Sequence, residues 1–240
     1  MIADALGAID SVLGKKLVGL YLHGSCITGD FDENVSDIDL VAVLDDDLTA
    51  DQLEALASLH DGIARRNPEW HDRVEVVYIS RRGLADFRRL PSPAAVISPG
   101  EPFHAIEAGE DWLITWYPAR KHGVALIGPP ADEVIPIISR DEYVEAVRSH
   151  MRSFPSHLPV SPHLGALAYA ILTMCRGLYT LEHGELVSKA QAAAWAERRL
   201  PQWSELIRSA RAWRQSGEKS PAPPTVATEA RRFVNELATR

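Results

Sequence analysis

The sequence predicts an α+β half of strands and helices followed by an all-α half, and three observations carry that division. Residues 18–22 and 36–44 read as strands on either side of a polar loop that opens on Gly24 and Ser25. Residues 73–79 read as a further strand with one acid, Glu75, in an otherwise apolar setting. From Ser139 onward the apolar residues fall at helical spacing, punctuated by repeated helix-start signals. The pair Pro129-Pro130 marks the junction, giving a first domain over 1–138 and a helical domain over 139–240.

The bulk numbers bound the function before any motif does. A chain of 240 residues holds one large domain or two modest ones. With 46% hydrophobic and 24% charged residues, it has the make-up of an ordinary soluble globular protein. A net charge of −8 disfavours a nucleic-acid surface and suits a cationic small molecule. Two cysteines, Cys26 and Cys175, give no disulfide framework. Ile2, Leu6, Ile9, Leu13 and Leu17 make the first segment an amphipathic helix, unlike a secretory signal, and no run reads as long enough to span a membrane. The expectation is a cytoplasmic monomer that binds neither nucleic acid nor membrane.

Taken in order, the opening helix leads into the two strands, and Asp45, Asp46 and Asp47 close them as a solvated turn. Thr49 to Gln52 has the form of a capping box for a helix running to about Arg66, which Asn67-Pro68 breaks. Residues 81–100, rich in Arg, Pro and Ser, read as loop with one helical turn. A helix over 112–122 and a short strand over 124–127 follow. Ser139 to Glu142 caps a helix to about Phe154, and Ser161-Pro162 starts another that ends at Gly184. Ser188 to Gln191 opens a fourth, closed by Pro201; helices over 202–215 and 226–238 complete the chain.

The chemistry sits in the first two strands. Successive strand side chains alternate, so Asp37 and Asp39 share a face while Ile38 takes the other. Two acids so placed on an apolar strand call for a cation, most simply a divalent metal. With Glu75 on the same side, three carboxylates would surround Mg²⁺, which takes oxygen ligands and keeps substrate phosphates in its shell. Gly24 would let the backbone approach a phosphate, and Ser25 and Ser36 would offer N–H and hydroxyl groups to its oxygens. Such a set suits nucleotidyl transfer, with Glu75 as a metal ligand or as the general base. The bland alternatives are a polar strand edge for Asp37 and Asp39 and a half-exposed strand position for Glu75. Cys26 reads as a space-filler, the histidines lack metal-ligand spacing, and the arginine pairs are solvated faces, although 81–82 and 88–89 could border a phosphate site.

Gly24-Ser25, eleven residues, then Ser36-Asp37-Ile38-Asp39-Leu40 resembles the signature of the polymerase-β-like nucleotidyltransferases, and specifically the aminoglycoside 3''-adenylyltransferases of streptomycin and spectinomycin. Val74-Glu75-Val76 is similar to the strand bearing that family's catalytic base. Residues 122–129 resemble its domain junction. Cys175-Arg176, Tyr179, Gly184, Ser188-Lys189 and 195–201 resemble its helical domain. The resemblance implies a mixed-sheet nucleotidyltransferase domain, an all-α helical-bundle domain, ATP as co-substrate with Mg²⁺, and transfer of AMP to a hydroxyl of a small molecule. It also implies that Lys189 and Arg176 reach the triphosphate. Lys189 stands at a helix start, where free N–H groups favour an anion as well.

One departure bears on the acceptor. The antibiotic-modifying members carry an acid at the start of the helix equivalent to 162–183, and residues 162–169 here carry none. A cationic acceptor would turn instead to Glu75, Glu107, Glu110 or Asp111. Transfer to a protein hydroxyl and a non-catalytic ATP sensor remain the alternatives at this stage.

Overall fold

The computed structural model describes residues 2–240. It divides into two compact units, one of the residues up to Ile27 with Ser36–Ile138, the other of Thr28–Val35 with Ser139–Arg240. The excursion 28–35, expected in the first domain, thus goes with the helices.

The first unit is built on one six-stranded sheet. Its strands are β1 (Leu17–His23), β2 (Ile38–Leu44), β3 (Val74–Ser80), β4 (Ser92–Ser98), β5 (Glu101–Ala108) and β6 (Val124–Ile127), in the order β5-β4-β3-β2-β1-β6. Only β2 and β3 run parallel; every other neighbouring pair is antiparallel. A parallel pair needs a crossover, and α3 (Ala50–Arg66) provides it, started by the Thr49/Gln52 capping box that the sequence announces. One sheet face presents Leu20, Leu40, Ala42, Leu44 and Val76 to Ile9 and Leu13 of α1 (Ile2–Leu13) and Leu56 of α3. The opposite face buries Tyr21, Val41, Val43, Val77 and Ile79. Against it lie α4 (Arg81–Asp86), α5 (Leu113–His122) and α6 (Ala131–Val134). Both faces are therefore covered, which is why 40–44 is apolar without alternation. Each such aliphatic side chain contributes about 1.5–3 kcal/mol by leaving water.

The region 81–100 is where the fold departs from the sequence reading. It holds a six-residue helix and the strand β4, which turns through Gly100 (φ +82°) into β5. Pro93 argues against a strand within a sheet, yet the ladder to β3 begins one residue later, at Ala94. β5 is an edge strand, mostly exposed, so it lacks the apolar signal of a buried one.

The second unit is helical: α7 (Arg140–Ser153), α8 (Leu164–His183), α9 (Lys189–Arg199), α10 (Ser204–Gln215) and α11 (Pro224–Ala238). α8 is the centre, packed by the other four, with eleven buried residues. Its start is capped by His163, whose Nδ1 accepts from the Ala166 N–H at 3.1 Å, so Ser161-Pro162 lies just outside the helix. Its end is Gly184, at φ +64°. Contrary to the sequence expectation, α8 is long and apolar enough by length and composition to cross a membrane, although 61% of its apolar window is buried among protein. Its apolarity is that of a helix enclosed by four others.

Candidate active site

The acids occupy one end of the first unit's sheet. β2 and β3 begin at the same end because they run parallel, and their register sets Asp39 directly opposite Glu75. Paired residues on neighbouring strands project to the same face, so both carboxylates stand side by side, with Asp37 just before β2 and separated from Asp39 by buried Ile38. All three acids are half-buried, while Ser36, Ile38, Leu40, Val74 and Val76 are buried. That alternation is the pattern of a strand end whose polar side faces a site.

Across β1 the row continues. His23 is the register partner of Asp39, and it is only 8% exposed. Burial pushes its imidazole down to about 4, so the ring is neutral near pH 7. Gly24 follows at φ +69°, and a Cβ there would stand 1.8 Å from Asp39 Oδ2. The glycine is therefore required twice, by handedness and because Asp39 occupies the space a side chain would take. Ser25 opens the four-residue α2 (Ser25–Thr28). Ser36, 2% exposed, has its carbonyl oxygen clamped by Arg73, which donates from Nη2 at 2.6 Å and Nε at 3.2 Å. Arg73 also lies over the Trp70 ring at 4.4 Å. The sequence reading passed over both His23 and Arg73. A polar residue closing an apolar strand directly before Gly-Ser was the available signal for the first; nothing local marks the second.

Several expectations are corrected here. Among the described residues no group of three or more His, Cys, Asp or Glu is gathered as a ready-made metal site. Mg²⁺ characteristically takes only one or two carboxylates, with water and phosphate oxygens completing six positions; a pair of the three fits that habit. The arginines at 81–82 and 88–89 do not border this site. Arg81 pairs with Asp45 at 3.5 Å, Arg82 with Asp47, and Arg88 donates to the Ile137 carbonyl at 2.6 Å. Arg81 and Arg82 lie past the end of β3 opposite to Glu75. Asp47, read as solvated, also accepts from Ser80 Oγ at 2.5 Å. Cys26 packs on the apolar core, and burial with the nearby Asp39 charge raises its thiol, the reverse of an activated nucleophile.

On the helical unit, Lys189 is the first residue of α9, behind a Ser188/Gln191 capping box. Its Nζ rests over the exposed Tyr169 ring at 4.3 Å. The next N–H, from Ala190, donates to Asp30 Oδ2 at 3.1 Å, so this helix start already holds a carboxylate of its own chain. Asp30, Phe31 and Asp32 wall a cavity of about 230 Å³ with Ala190, Arg211 and Arg214. Arg176 is half-buried inside α8, and Glu182, six residues further along that helix, pairs with Arg199 at 3.2 Å.

Comparison with known proteins agrees along most of the chain. The family described as nucleotidyltransferase domain matches residues 8–82, and that described as aminoglycoside adenylyltransferase, C-terminal domain, matches 133–240. An aminoglycoside (3'') (9) adenylyltransferase of Klebsiella pneumoniae is 29% identical over 226 residues, covering 88% of this chain and 82% of the relative. A spectinomycin 9-adenylyltransferase of Campylobacter jejuni is 25% identical over 216 residues, covering 83% and 78%. Among solved structures, the spectinomycin adenyltransferase AAD(9) from Enterococcus faecialis, crystallised with ATP and spectinomycin, shares the fold at a TM-score of 0.81 and 19% identity, over 100% of this chain and 98% of that one. A mixed sheet that ends in paired acids behind a Gly-Ser turn thus falls where the nucleotidyltransferase domain matches, over 8–82, and the helical unit where the C-terminal domain of the aminoglycoside adenylyltransferases matches, over 133–240.

Proposed function

We propose that this nucleotidyltransferase moves AMP from ATP to a hydroxyl of an aminoglycoside or of spectinomycin, releasing pyrophosphate. The observation that supports this most is the register that sets Asp39 beside Glu75, with Asp39 folded over the one residue type, glycine, that leaves room for it. Asp37 and Asp39 would hold Mg²⁺, whose charge when bound would offset that of the phosphates. The chain's own residues do the rest. Ser25 and Ser36 offer donors to phosphate oxygens, and Arg73 keeps the Ser36–Asp37 backbone in place. Glu75, beside Asp39, accepts the proton of the attacking hydroxyl, as a metal ligand or as the general base. Lys189 and Arg176 are the helical unit's candidates for binding phosphate. Of the acids named for a cationic acceptor, Glu107 pairs with Pro93 at the Ser80 end of the sheet and Glu110 and Asp111 follow it there, so Glu75 is the one that stands in the row beside Asp39.

Pyrophosphate release from Mg²⁺-ATP, measured over a panel holding spectinomycin, streptomycin and other polyols, tests the proposal. Release with at least one drug is expected, falling at least a hundredfold in Asp37→Asn, on the scale of removing a preorganised charge partner. Silence over the whole panel, or an unimpaired Asp37→Asn protein, would sink it.

A further inference from the structure

We propose that His23 is a catalytic residue that donates a hydrogen bond to the departing pyrophosphate, an inference that rests on the adenylyl-transfer reading above. The register carries it. His23 faces Asp39 across β1 and β2, and Asp39 faces Glu75 across β2 and β3, so the three side chains stand in one row on one face of the sheet. His23 is 92% buried, since 8% of it is exposed, yet it makes no hydrogen bond, ion pair or ring contact among the described residues. Its ring nitrogens are not among the buried polar atoms left without a partner, so the body of the imidazole is buried while its polar edge stays open to solvent or to a ligand. The other members of the row are carboxylates, which when ionised only accept. The imidazole adds the one N–H among these three side chains that can donate to an oxygen gaining charge.

The spacing suits the reaction. Glu75 and His23 flank Asp39 from opposite sides, two strand intervals apart, or about 10 Å at about 4.8 Å each. A base and a donor that bracket an in-line displacement, each at about 2.8 Å from its oxygen, need about the same span. The hydroxyl oxygen of the acceptor attacks the α-phosphorus while its proton passes to Glu75. The bond from that phosphorus to the bridging oxygen breaks, and its electron pair leaves with pyrophosphate, which accepts the His23 N–H bond. Charge on that oxygen grows as the bond breaks, so the contact is stronger in the transition state than in bound ATP and acts on kcat more than on KM.

The test compares His23→Phe, which keeps a ring and removes the donor, with His23→Asn, which keeps an N–H, and with Asp37→Asn as control, all by pyrophosphate release and thermal melting. His23→Phe is expected to lose about a hundredfold in kcat, with the KM for ATP within about threefold and melting no lower than wild type. His23→Asn is expected to recover at least tenfold of that loss. Full kcat in His23→Phe, equal losses in both variants, or losses that follow the melting temperature would make His23 a packing residue and overturn the inference. An active Asp37→Asn protein would overturn the transfer reading itself, and this inference with it.

Discussion

Gly24 shows how one position serves the chemistry without touching a substrate. Its φ of +69° disfavours any other residue, and a methyl group there would meet Asp39 Oδ2 at 1.8 Å and Asp39 Cβ at 3.0 Å. The left-handed backbone costs an alanine about 1–2 kcal/mol. The contact is with a carboxylate that can swing aside, so the larger effect falls on where Asp39 points. Gly24→Ala should therefore lower the melting temperature modestly and abolish most pyrophosphate release at temperatures where the protein is fully folded. A variant that is less stable but fully active below its melting range would show that the position of Asp39 over Gly24 is incidental. The acids and the glycine were legible because motif spacing and strand alternation are local properties. Arg73 was not, since its role is a clamp on the Ser36 carbonyl from 37 residues away.

At the scale of elements, the capping boxes were the most readable signals, because each is closed by side chains within four residues. Thr49/Gln52, Ser139/Glu142 and Ser188/Gln191 all form both reciprocal bonds. The hairpin of β4 and β5 was unreadable for the opposite reason: a proline in one strand and an exposed edge position for the other erase the periodicity a buried strand would show. The box at α9 is the one next to a proposed functional side chain. Ser188 Oγ accepts from the Gln191 N–H at 3.1 Å, and Gln191 Oε1 accepts from the Ser188 N–H at 3.2 Å. Ser188→Ala should cost about 1 kcal/mol and loosen the turn that carries Lys189, raising the KM for ATP more than it lowers kcat. Loss of stability with an unchanged KM would separate Lys189 from the nucleotide.

For the molecule as a whole, the division into an α+β unit and a helical unit was visible in composition, but the crossing of 28–35 into the helical unit was not. That assignment rests on contacts such as Asp30 with the Ala190 N–H, 160 residues apart in sequence. Global stability, too, depends on a long-range pairing that no motif announces. His60 on α3 is 4% exposed, hydrogen-bonded to Tyr78 Oη at 2.9 Å and stacked on Phe103 at 5.6 Å. Burial pushes its imidazole from 6.5 down to about 4, outweighing the opposing pull of Asp61. The folded protein thus keeps His60 neutral where the unfolded chain would protonate it, and between pH 6.5 and 4 the unfolded state binds the extra proton. Its contribution is complete above about pH 6.5 and declines as the pH falls toward 4; by pH 5 the loss is about 2 kcal/mol relative to pH 7. Urea unfolding of wild type and His60→Gln at pH 7 and pH 5 isolates the effect, because every other titrating group is shared. His60→Gln should be the less stable protein at pH 7, where the stacked ring is lost, and should close on wild type at pH 5. Parallel losses in the two proteins would place the acid sensitivity elsewhere in the fold.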